Sequence, residues 1–284
     1  MHDPNVPESL EGWWILHRMF AFNRRTWDEL TPKRRVKYAS QATDLFEHLK
    51  QRSDGDVALC NLMGHKGELM LVHYAQTYDG IAYAQTLVDK LDLRSYLTPL
   101  SSYVSILELG LYDATSKIHA ELQGRGLDPH TPEWLAAFDD ALRAQSESPY
   151  IAPRLWARIP QRRYACFYPM NKRRGERENW YTLPYAERAR LMVEHGKVGR
   201  SYHGRVTQVI SGSIGYDDYE WGVDLYADDP IVFKKLIYAM RFDEASARYA
   251  EFGQFWSGLQ FSADQLGVFL DGEGVAQLTI SSTN

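Results

Sequence analysis

Cysteine is scarce in this sequence, and no long apolar run occurs. Only Cys60 and Cys166 are present among 284 residues, too few for a disulfide framework or a four-thiolate zinc site. The absence of any stretch of about 18 apolar residues excludes a membrane-spanning helix. The first residues also lack the basic and apolar regions of a secretory signal. We therefore expect a cytoplasmic protein with no membrane span.

An excess of positive charge is missing as well. The chain has 32 Lys and Arg residues against 37 Asp and Glu, a formal net charge of −5. Because the basic residues are also spread along the chain, nucleic acid is not expected as a partner. Apolar residues make up 44% of the sequence, enough for a sizeable core. The aromatic share of 13% suits a pocket for a flat ligand, although it equally suits an ordinary core of sheet and helix.

The common motifs of enzyme classes are absent too. The sequence contains no GxGxxG, Walker, HExxH or GxSxG pattern. Dinucleotide-binding enzymes, P-loop proteins, zinc proteases and serine hydrolases therefore lose support.

Hydrophobic patterning predicts the same order of elements twice. In the first half, it indicates strands over residues 12–22, 57–63, 69–74 and 101–111, and helices over 31–52 and 79–91. In the second half, it indicates strands over 163–168, 206–211, 219–226 and 249–257, and helices over 184–194 and 231–240. Each half follows the order β-α-β-β-α-β of a ferredoxin-like unit. We predict an α+β fold in which two such repeats form a dimeric α+β barrel within one chain.

Three segments follow from this repeat. Residues 1–111 are predicted to form an N-terminal structural unit, and residues 161–284 a C-terminal unit that carries the chemistry. Residues 112–160 interrupt the symmetry as a helical insertion and connector, in which Thr131 is a candidate helix cap.

The candidate functional residues lie mostly in the second half. We expect His195 in the last turn of a helix, where it either caps the helix as a cation or binds iron. Tyr168 is either a core tyrosine or a donor of an electron and a proton to an oxidising metal. Several cations are either solvated surface charge or a ring that binds carboxylates: Arg154, Lys172, Arg173, Arg174 and Arg241.

Four stretches are distinctive: YPMNKRR (168–174), MVEHGKVGRSY (192–202), QVISGSIGYDDYEWGV (208–223) and MRFDEASARYAEFG (240–253). Together and in this order, they resemble the chlorite-dismutase-like family, and most closely its branch that decarboxylates coproheme. The resemblance covers nearly the whole chain. It implies that a porphyrin binds to the C-terminal unit.

By this resemblance, His195 is the proximal ligand of the haem iron, and Glu244 accepts a hydrogen bond from the other ring nitrogen. Gln208 stands where chlorite dismutases have a distal arginine, which makes chlorite decomposition an unexpected activity here. The resemblance implies that these residues contact the porphyrin and its propionates: Arg154, Tyr168, Met170, Lys172, Trp221, Arg241 and Ser246.

The implied reaction uses hydrogen peroxide to convert coproheme III, the iron–coproporphyrin substrate and redox centre, to haem b. Tyr168 would form a radical that removes a hydrogen atom from a propionate, and Lys172 would orient the carboxylate or supply a proton. The family also implies a homopentamer, and transient contact with the ferrochelatase that supplies coproheme is a further expectation.

Three alternatives stay open at this point. The same pocket could serve a chlorite dismutase or haem peroxidase, or a haem-binding protein with no catalytic role. A cofactor-free monooxygenase of ferredoxin-like fold is a further alternative, based on fold analogy alone.

Overall fold

The computed structural model describes residues 5–129, 131–149 and 151–275. Residues 1–4 and 276–284 of the two predicted outer units, and His130 and Tyr150 of the predicted connector, lie outside the described residues. The boundaries of the three predicted segments stay predictions.

The first half contains the predicted strands and helices. Its strands are β1 (Ser9–Phe22), β2 (Gly55–Leu62), β3 (Leu69–Ala75) and β4 (Leu97–Gly110). Its helices are α1 (Arg24–Asp28), α2 (Pro32–Gln51) and α3 (Tyr78–Asp89). The fixed φ of Pro32 suits the first turn of α2. The Thr77 side chain caps α3 by accepting a hydrogen bond from the backbone N–H of Gly80 at 3.0 Å.

The insertion is helical, as predicted. It contains α4 (Tyr112–Gly124), α5 (Pro132–Ser146) and α6 (Ala152–Leu155). The Thr131 hydroxyl accepts a hydrogen bond from the backbone N–H of Trp134 at 3.2 Å, so the predicted cap is present.

The second half repeats the order of the first. It differs from the prediction in two ways: an extra helix, α9, precedes the last strand, and that strand is divided in two. Its strands are β5 (Tyr164–Lys172), β6 (Thr207–Gly212), β7 (Trp221–Ala227), β8 (Ala250–Phe252) and β9 (Trp256–Phe261). Its main helices are α7 (Tyr185–Arg200), α8 (Ile231–Met240) and α9 (Glu244–Tyr249), and the short α10 (Leu266–Leu270) follows β9.

The predicted last strand over residues 249–257 is wrong in its bounds. Asp243 caps α9 by accepting a hydrogen bond from the backbone N–H of Ser246 at 3.1 Å, and Tyr249 ends that helix. The strand that follows is divided into β8 and β9 by the short linker 253–255.

The strands form one closed sheet. Their order is β7-β6-β4-β1-β3-β2-β9-β5-β8, and an additional pairing of β7 with β5 closes the ring. The first half contributes β4-β1-β3-β2, and the second half contributes β6-β7-β5 with β9 and β8 along the other edge of β5. The two halves meet at the β4–β6 and β2–β9 pairings. The predicted α+β barrel of two ferredoxin-like repeats is therefore confirmed.

Strand alternation divides the apolar residues among three main layers. The barrel interior contains Trp13, Ile15, Val72 and Phe167. Outside the first half, α2 covers β1–β3 with residues such as Phe46 and Leu49. Outside the second half, α7 and α8 cover the outer face of β5 and β7. None of the helices within the described ranges is both long and apolar enough to cross a membrane.

A buried polar pair joins the two halves inside the barrel. His17 of β1 lies 2.9 Å from Asp224 of β7, measured from Nε2 to Oδ1, and both residues are buried. The His17 ring also stacks on Phe167, with a centroid distance of 4.0 Å. The pair links positions 207 residues apart in the chain.

Candidate active site

His195 lies within α7 rather than in its last turn, which corrects the sequence-based prediction. The helix continues through Gly196 and Gly199 to Arg200. A Cβ atom on Gly199 would lie 3.4 Å from the Gln208 side chain, an ordinary contact distance, so α7 and the sheet lie close together at this point. The pattern of buried and half-buried residues along α7 includes Leu191, His195 and Val198, which therefore share its inner face.

The His195 ring is held by the start of α9. Its Nδ1 lies 3.2 Å from both carboxylate oxygens of Asp243 and 3.3 Å from Oγ of Ser246. Burial alone would raise the pKa of Asp243, but the hydrogen bond and the charge interaction with His195, together with the hydrogen bonds to Ser246, hold that pKa below its ordinary value. In this arrangement Nδ1 donates to the carboxylate, and no described residue forms a hydrogen bond with Nε2. An imidazole in this state can bind a metal ion through Nε2.

Glu244 does not contact His195, so that prediction is wrong. Its carboxylate lies 3.0 Å from Arg190 and 2.8 Å from Arg248, and these pairs hold its pKa below the ordinary value. Glu244 is the first residue of α9, whereas Asp243, one residue earlier, is the cap residue.

The strands opposite α7 bring several predicted residues onto one face. Tyr168 of β5 pairs with Val223 of β7, which pairs with Ile210 of β6. One row further along the strands, Met170 pairs with Trp221. Directly paired residues of antiparallel strands point to the same side. These side chains therefore form part of a single apolar surface.

Gln208 lies on the same face, two residues before Ile210 in β6. Its side-chain amide donates a hydrogen bond to the carbonyl oxygen of Gly199 at 3.3 Å. Gly199 is one turn after His195 in α7, so this contact holds the part of α7 that follows His195 against β6. Ile210 is 38% exposed and Trp221 is half-buried, so the space between α7 and the sheet opens to solvent there. We call this space the α7 cleft.

Tyr168 is 3% exposed, yet no described residue forms a hydrogen bond with its hydroxyl. Burial raises its pKa, an effect that Cys166 increases and Arg241 opposes. Its ring lies against two aromatic residues for which the sequence had predicted no role. Phe255 stacks on it with a centroid distance of 4.5 Å, and Phe252 lies at 5.6 Å.

Lys172, at the end of β5, is an unusual buried cation. It is 8% exposed, and its Nζ lies 4.3 Å above the centre of the Trp180 ring and 3.4 Å from the carbonyl oxygen of Ala245. Burial lowers its pKa to about 8, although Asp243 and Glu220 act in the opposite direction. At neutral pH this ammonium can therefore give up a proton more readily than an ordinary lysine.

The predicted anion-binding residues are not all brought together. The Arg241 guanidinium lies 4.0 Å from the centre of the Phe252 ring, which places it near Tyr168. Ser246 is buried beside His195. Arg154, however, is exposed on α6, and this short helix packs against β1 and β4.

The α7 cleft is open to solvent at Ile210 and Trp221. A surface cavity of about 300 Å³ lies elsewhere, lined by residues that include Arg162, Arg205 and Lys235, and it contains none of the predicted site residues. No group of three or more His, Cys, Asp or Glu side chains within the described ranges could hold a metal ion. A metal at His195 would therefore need most of its ligands from another molecule, as iron has in a porphyrin.

Sequence inspection missed four residues that shape this site: Glu220, Asp243, Phe252 and Phe255. Asp243 had a usable signal, because DEAS is a helix-cap sequence in which aspartate precedes the first helical residue. The two phenylalanines gave no local signal, since their contact with Tyr168 depends on how β8 and β9 pair with β5.

Comparisons with known proteins agree with this architecture. The family model described as Chlorite dismutase matches residues 35–261. The chain is 40% identical to the coproheme decarboxylase of Staphylococcus saprophyticus, over 93% of this chain and 97% of that protein. It also resembles the solved structure of a haem-binding protein from Thermus thermophilus, with a TM-score of 0.80, 37% identity and coverage of 95% and 99% of the two chains. A chlorite dismutase from Candidatus Nitrospira defluvii shares the fold at 18% identity, with a TM-score of 0.68 over 92% of this chain and 96% of that one.

The chain therefore belongs to the chlorite dismutase family. Within that family it is an enzyme of the oxidoreductase type.

Proposed function

We propose that this protein converts coproheme III to haem b with hydrogen peroxide as the oxidant. Two of the four propionates become vinyl groups, through a monovinyl tripropionate intermediate, as the final step of the coproporphyrin-dependent route. The Staphylococcus saprophyticus relative, named coproheme decarboxylase, supports this reaction. The proposal depends mainly on one observation: His195 lies on the helix side of the α7 cleft and Tyr168 on the sheet side. No described residue forms a hydrogen bond with Nε2 of His195 or with the hydroxyl of Tyr168.

The residues present fit an iron porphyrin. His195 Nε2 would hold the iron, and Asp243 fixes the ring for that task. Met170, Val223 and Trp221 provide apolar contact for a flat ring system. Bound in the cleft, the iron porphyrin supplies the redox centre that reacts with peroxide.

Cations at the edge of the cleft would bind propionates. Arg241 is exposed and held over Phe252, so its guanidinium is available for a carboxylate. Ser246 contributes a hydroxyl beside His195. We propose the same role for Arg154, which would have to reach the porphyrin from α6.

Tyr168 would carry out the chemistry on the substrate. Its hydroxyl gives up a hydrogen atom, and the resulting tyrosyl oxygen takes one from the β-carbon of a propionate. The carbon radical then returns one electron to the redox centre and loses carbon dioxide, which leaves a vinyl group. Overall, one propionic acid group and one hydrogen peroxide give one vinyl group, one carbon dioxide and two waters.

Lys172 would assist from the same strand. Strand alternation places Tyr168, Met170 and Lys172 on one face of β5. A lysine with a pKa near 8 can pair with a propionate as the ammonium and can also supply a proton.

Gln208 favours this reaction over chlorite decomposition. A neutral amide cannot supply the fixed charge that an arginine would offer to chlorite or to an oxyanion formed from it. A haem-binding protein without catalysis is the other alternative, and the name of the Thermus thermophilus structure is compatible with it.

Mass spectrometry of the porphyrin tests the proposal. Purified protein is mixed with coproheme and then with increasing peroxide. We expect successive losses of one and two carboxyl groups, ending at haem b, with one porphyrin bound per chain. His195→Ala should lose the iron–imidazole signature in resonance Raman spectra. Coproheme that is bound but returned unchanged would support the non-catalytic alternative, and oxygen release from chlorite would support the dismutase.

A homopentamer, the cytoplasm as location and contact with the ferrochelatase stay predictions. Native mass spectrometry of the purified chain tests the first of these.

A further inference from the structure

Phe255 lies almost flat against the Tyr168 ring. The two ring centroids are 4.5 Å apart and the planes are inclined by 25°. Phe252 contacts the same tyrosine at a steeper angle of 45° and a longer distance of 5.6 Å. Phe255 therefore makes the closer and more nearly parallel contact.

The backbone that carries Phe255 is fixed at both ends of the linker 253–255. The N–H of Gly253 donates to the carbonyl oxygen of Pro169 at 2.8 Å. Lys66, from the turn between β2 and β3, donates from Nζ to the carbonyl oxygen of Phe255 at 2.7 Å. A Cβ atom on Gly253 would lie 2.8 Å from the Pro169 ring, so only glycine allows the linker to pass this close to β5.

Tyr168 needs such a neighbour, because no hydrogen bond from a described residue holds its hydroxyl in place. No described residue forms a hydrogen bond with its hydroxyl, and rotation of a tyrosine ring about the Cβ–Cγ bond has a broad energy minimum. The plane of the ring must therefore be set by packing. Transfer of a hydrogen atom depends strongly on how the donor and acceptor atoms are aligned.

We propose that Phe255 is a positioning residue, which fixes the ring plane of Tyr168 so that its oxygen faces the α7 cleft. The proposal rests on the proposed function, because Tyr168 is the group that exchanges a hydrogen atom with the substrate. The first half of the chain would then help to position Tyr168, because its Lys66 donates a hydrogen bond to the linker that carries Phe255.

The first test measures the ring itself in the full-length chain labelled with 3-fluorotyrosine. The Tyr168 signal in the ¹⁹F spectrum is identified by its absence in Tyr168→Phe. In the otherwise unaltered protein we expect separate lines for the two ring orientations, because stacking slows the ring flip. In Phe255→Leu they should merge into one averaged line, and in Phe255→Tyr they should stay separate. Unchanged separate lines in Phe255→Leu would overturn the proposal.

The second test compares kinetic constants for coproheme and peroxide. Phe255→Leu should lower kcat by about tenfold, within the roughly 10²-fold cost of a 1 Å misplacement, while KM for coproheme changes less than twofold. Phe252→Leu is the matched control: because Phe252 supports Arg241, its loss should raise KM more than it lowers kcat. Equal effects of the two variants on KM and kcat would contradict a specific role for Phe255.

The two tests separate the proposals. If merged lines are found in Phe255→Leu while the wild-type protein makes no haem b, the positioning role stands and the proposed reaction fails. If Phe255→Leu does not fold, Lys66→Met replaces it as the test. This substitution removes the exposed hydrogen bond that holds the same linker. It should broaden the Tyr168 lines and lower kcat in the same direction but to a smaller extent, and unchanged lines and kcat would overturn the proposal.

Discussion

Nδ1 of His195 is 3.2 Å from each carboxylate oxygen of Asp243. The ring is thereby fixed by one nitrogen, while the other is left for a ligand. Because the carboxylate remains ionised down to a lower pH than an ordinary aspartate, it can accept the Nδ1 hydrogen bond throughout the physiological range.

Asp243→Asn is expected to weaken porphyrin binding by about 10–100-fold, the usual cost of losing the hydrogen-bond partner of a metal-bound histidine. It should also lower the iron–histidine stretching frequency, since a neutral amide makes the imidazole less electron-rich. Porphyrin titration and resonance Raman spectroscopy measure these two effects. Glu244→Gln is the matched control, because Glu244 contacts Arg190 and Arg248 instead. A larger effect from Glu244→Gln than from Asp243→Asn would contradict this assignment.

Tyr168→Phe should still bind coproheme but yield almost no haem b. The substitution keeps the ring and its contact with Phe255, and it removes a hydroxyl that has no described hydrogen-bond partner. A general acid contributes about 10²–10⁴-fold, whereas a required radical donor should cost more. Lys172→Ala should slow the reaction without abolishing it, because water can replace a proton donor. Chromatography of the porphyrins measures product, and a coproheme titration verifies binding. Substantial haem b from Tyr168→Phe would remove Tyr168 from the chemistry.

The pH dependence of the reaction should report Lys172. Its pKa is lowered to about 8, so the ammonium is fully present below that pH and is lost as pH rises through it. We expect kcat/KM for coproheme to fall above pH 8, because this constant reflects the free enzyme. Lys172→Arg keeps its charge at all these pH values and should abolish the decline. A decline that persists unchanged in Lys172→Arg would assign it to another group.

Chlorite should be decomposed poorly or not at all. Gln208 offers only a neutral amide, and that amide already donates to the Gly199 carbonyl. Oxygen release measured with an electrode after addition of chlorite tests this, with Gln208→Arg as the comparison. Rapid oxygen release by the wild-type protein would place it with the chlorite dismutases proper.

The buried pair in the barrel should matter for stability rather than for the reaction. Asp224→Ala leaves the His17 ring nitrogen without its hydrogen-bond partner inside the barrel, and leaving a buried polar group unsatisfied in this way costs about 1–3 kcal/mol. Urea unfolding measures the free energy of unfolding. Glu121→Gln removes half of an exposed pair on α4 and should change it by less than about 0.5 kcal/mol. Equal losses in the two variants would show that the buried pair has no special weight.

Local patterns in the sequence were enough to predict the repeated order of elements and most of the individual strands and helices. Strand alternation and helical periodicity were strong in segments such as β3 and α8, where the predicted and observed bounds agree closely. The end of α7 was misplaced because glycine is a common stop signal. Gly196, which follows His195, and Gly199 instead both lie inside the helix.

The site was accessible from the sequence only in part. His195, Tyr168 and Gln208 came from the resemblance to a family, and the structure brings them around one cleft. Choosing Asp243 over Glu244 required recognition of DEAS as a helix-cap sequence that marks the start of α9. The contact between Phe255 and Tyr168 could not be deduced, because it joins residues 87 positions apart through strand pairing.

The closed sheet has a consequence for how such a chain can be divided. If the two halves were produced as separate polypeptides, β2 and β4 of the first and β6 and β9 of the second would each present unpaired backbone groups. Exposed strand edges of this kind recruit other strands. We therefore expect the separate halves to reassemble with one another when mixed, and each alone to self-associate or aggregate. Covalent fusion makes the matching edges available in equal amounts, so the chain itself enforces the correct pairing.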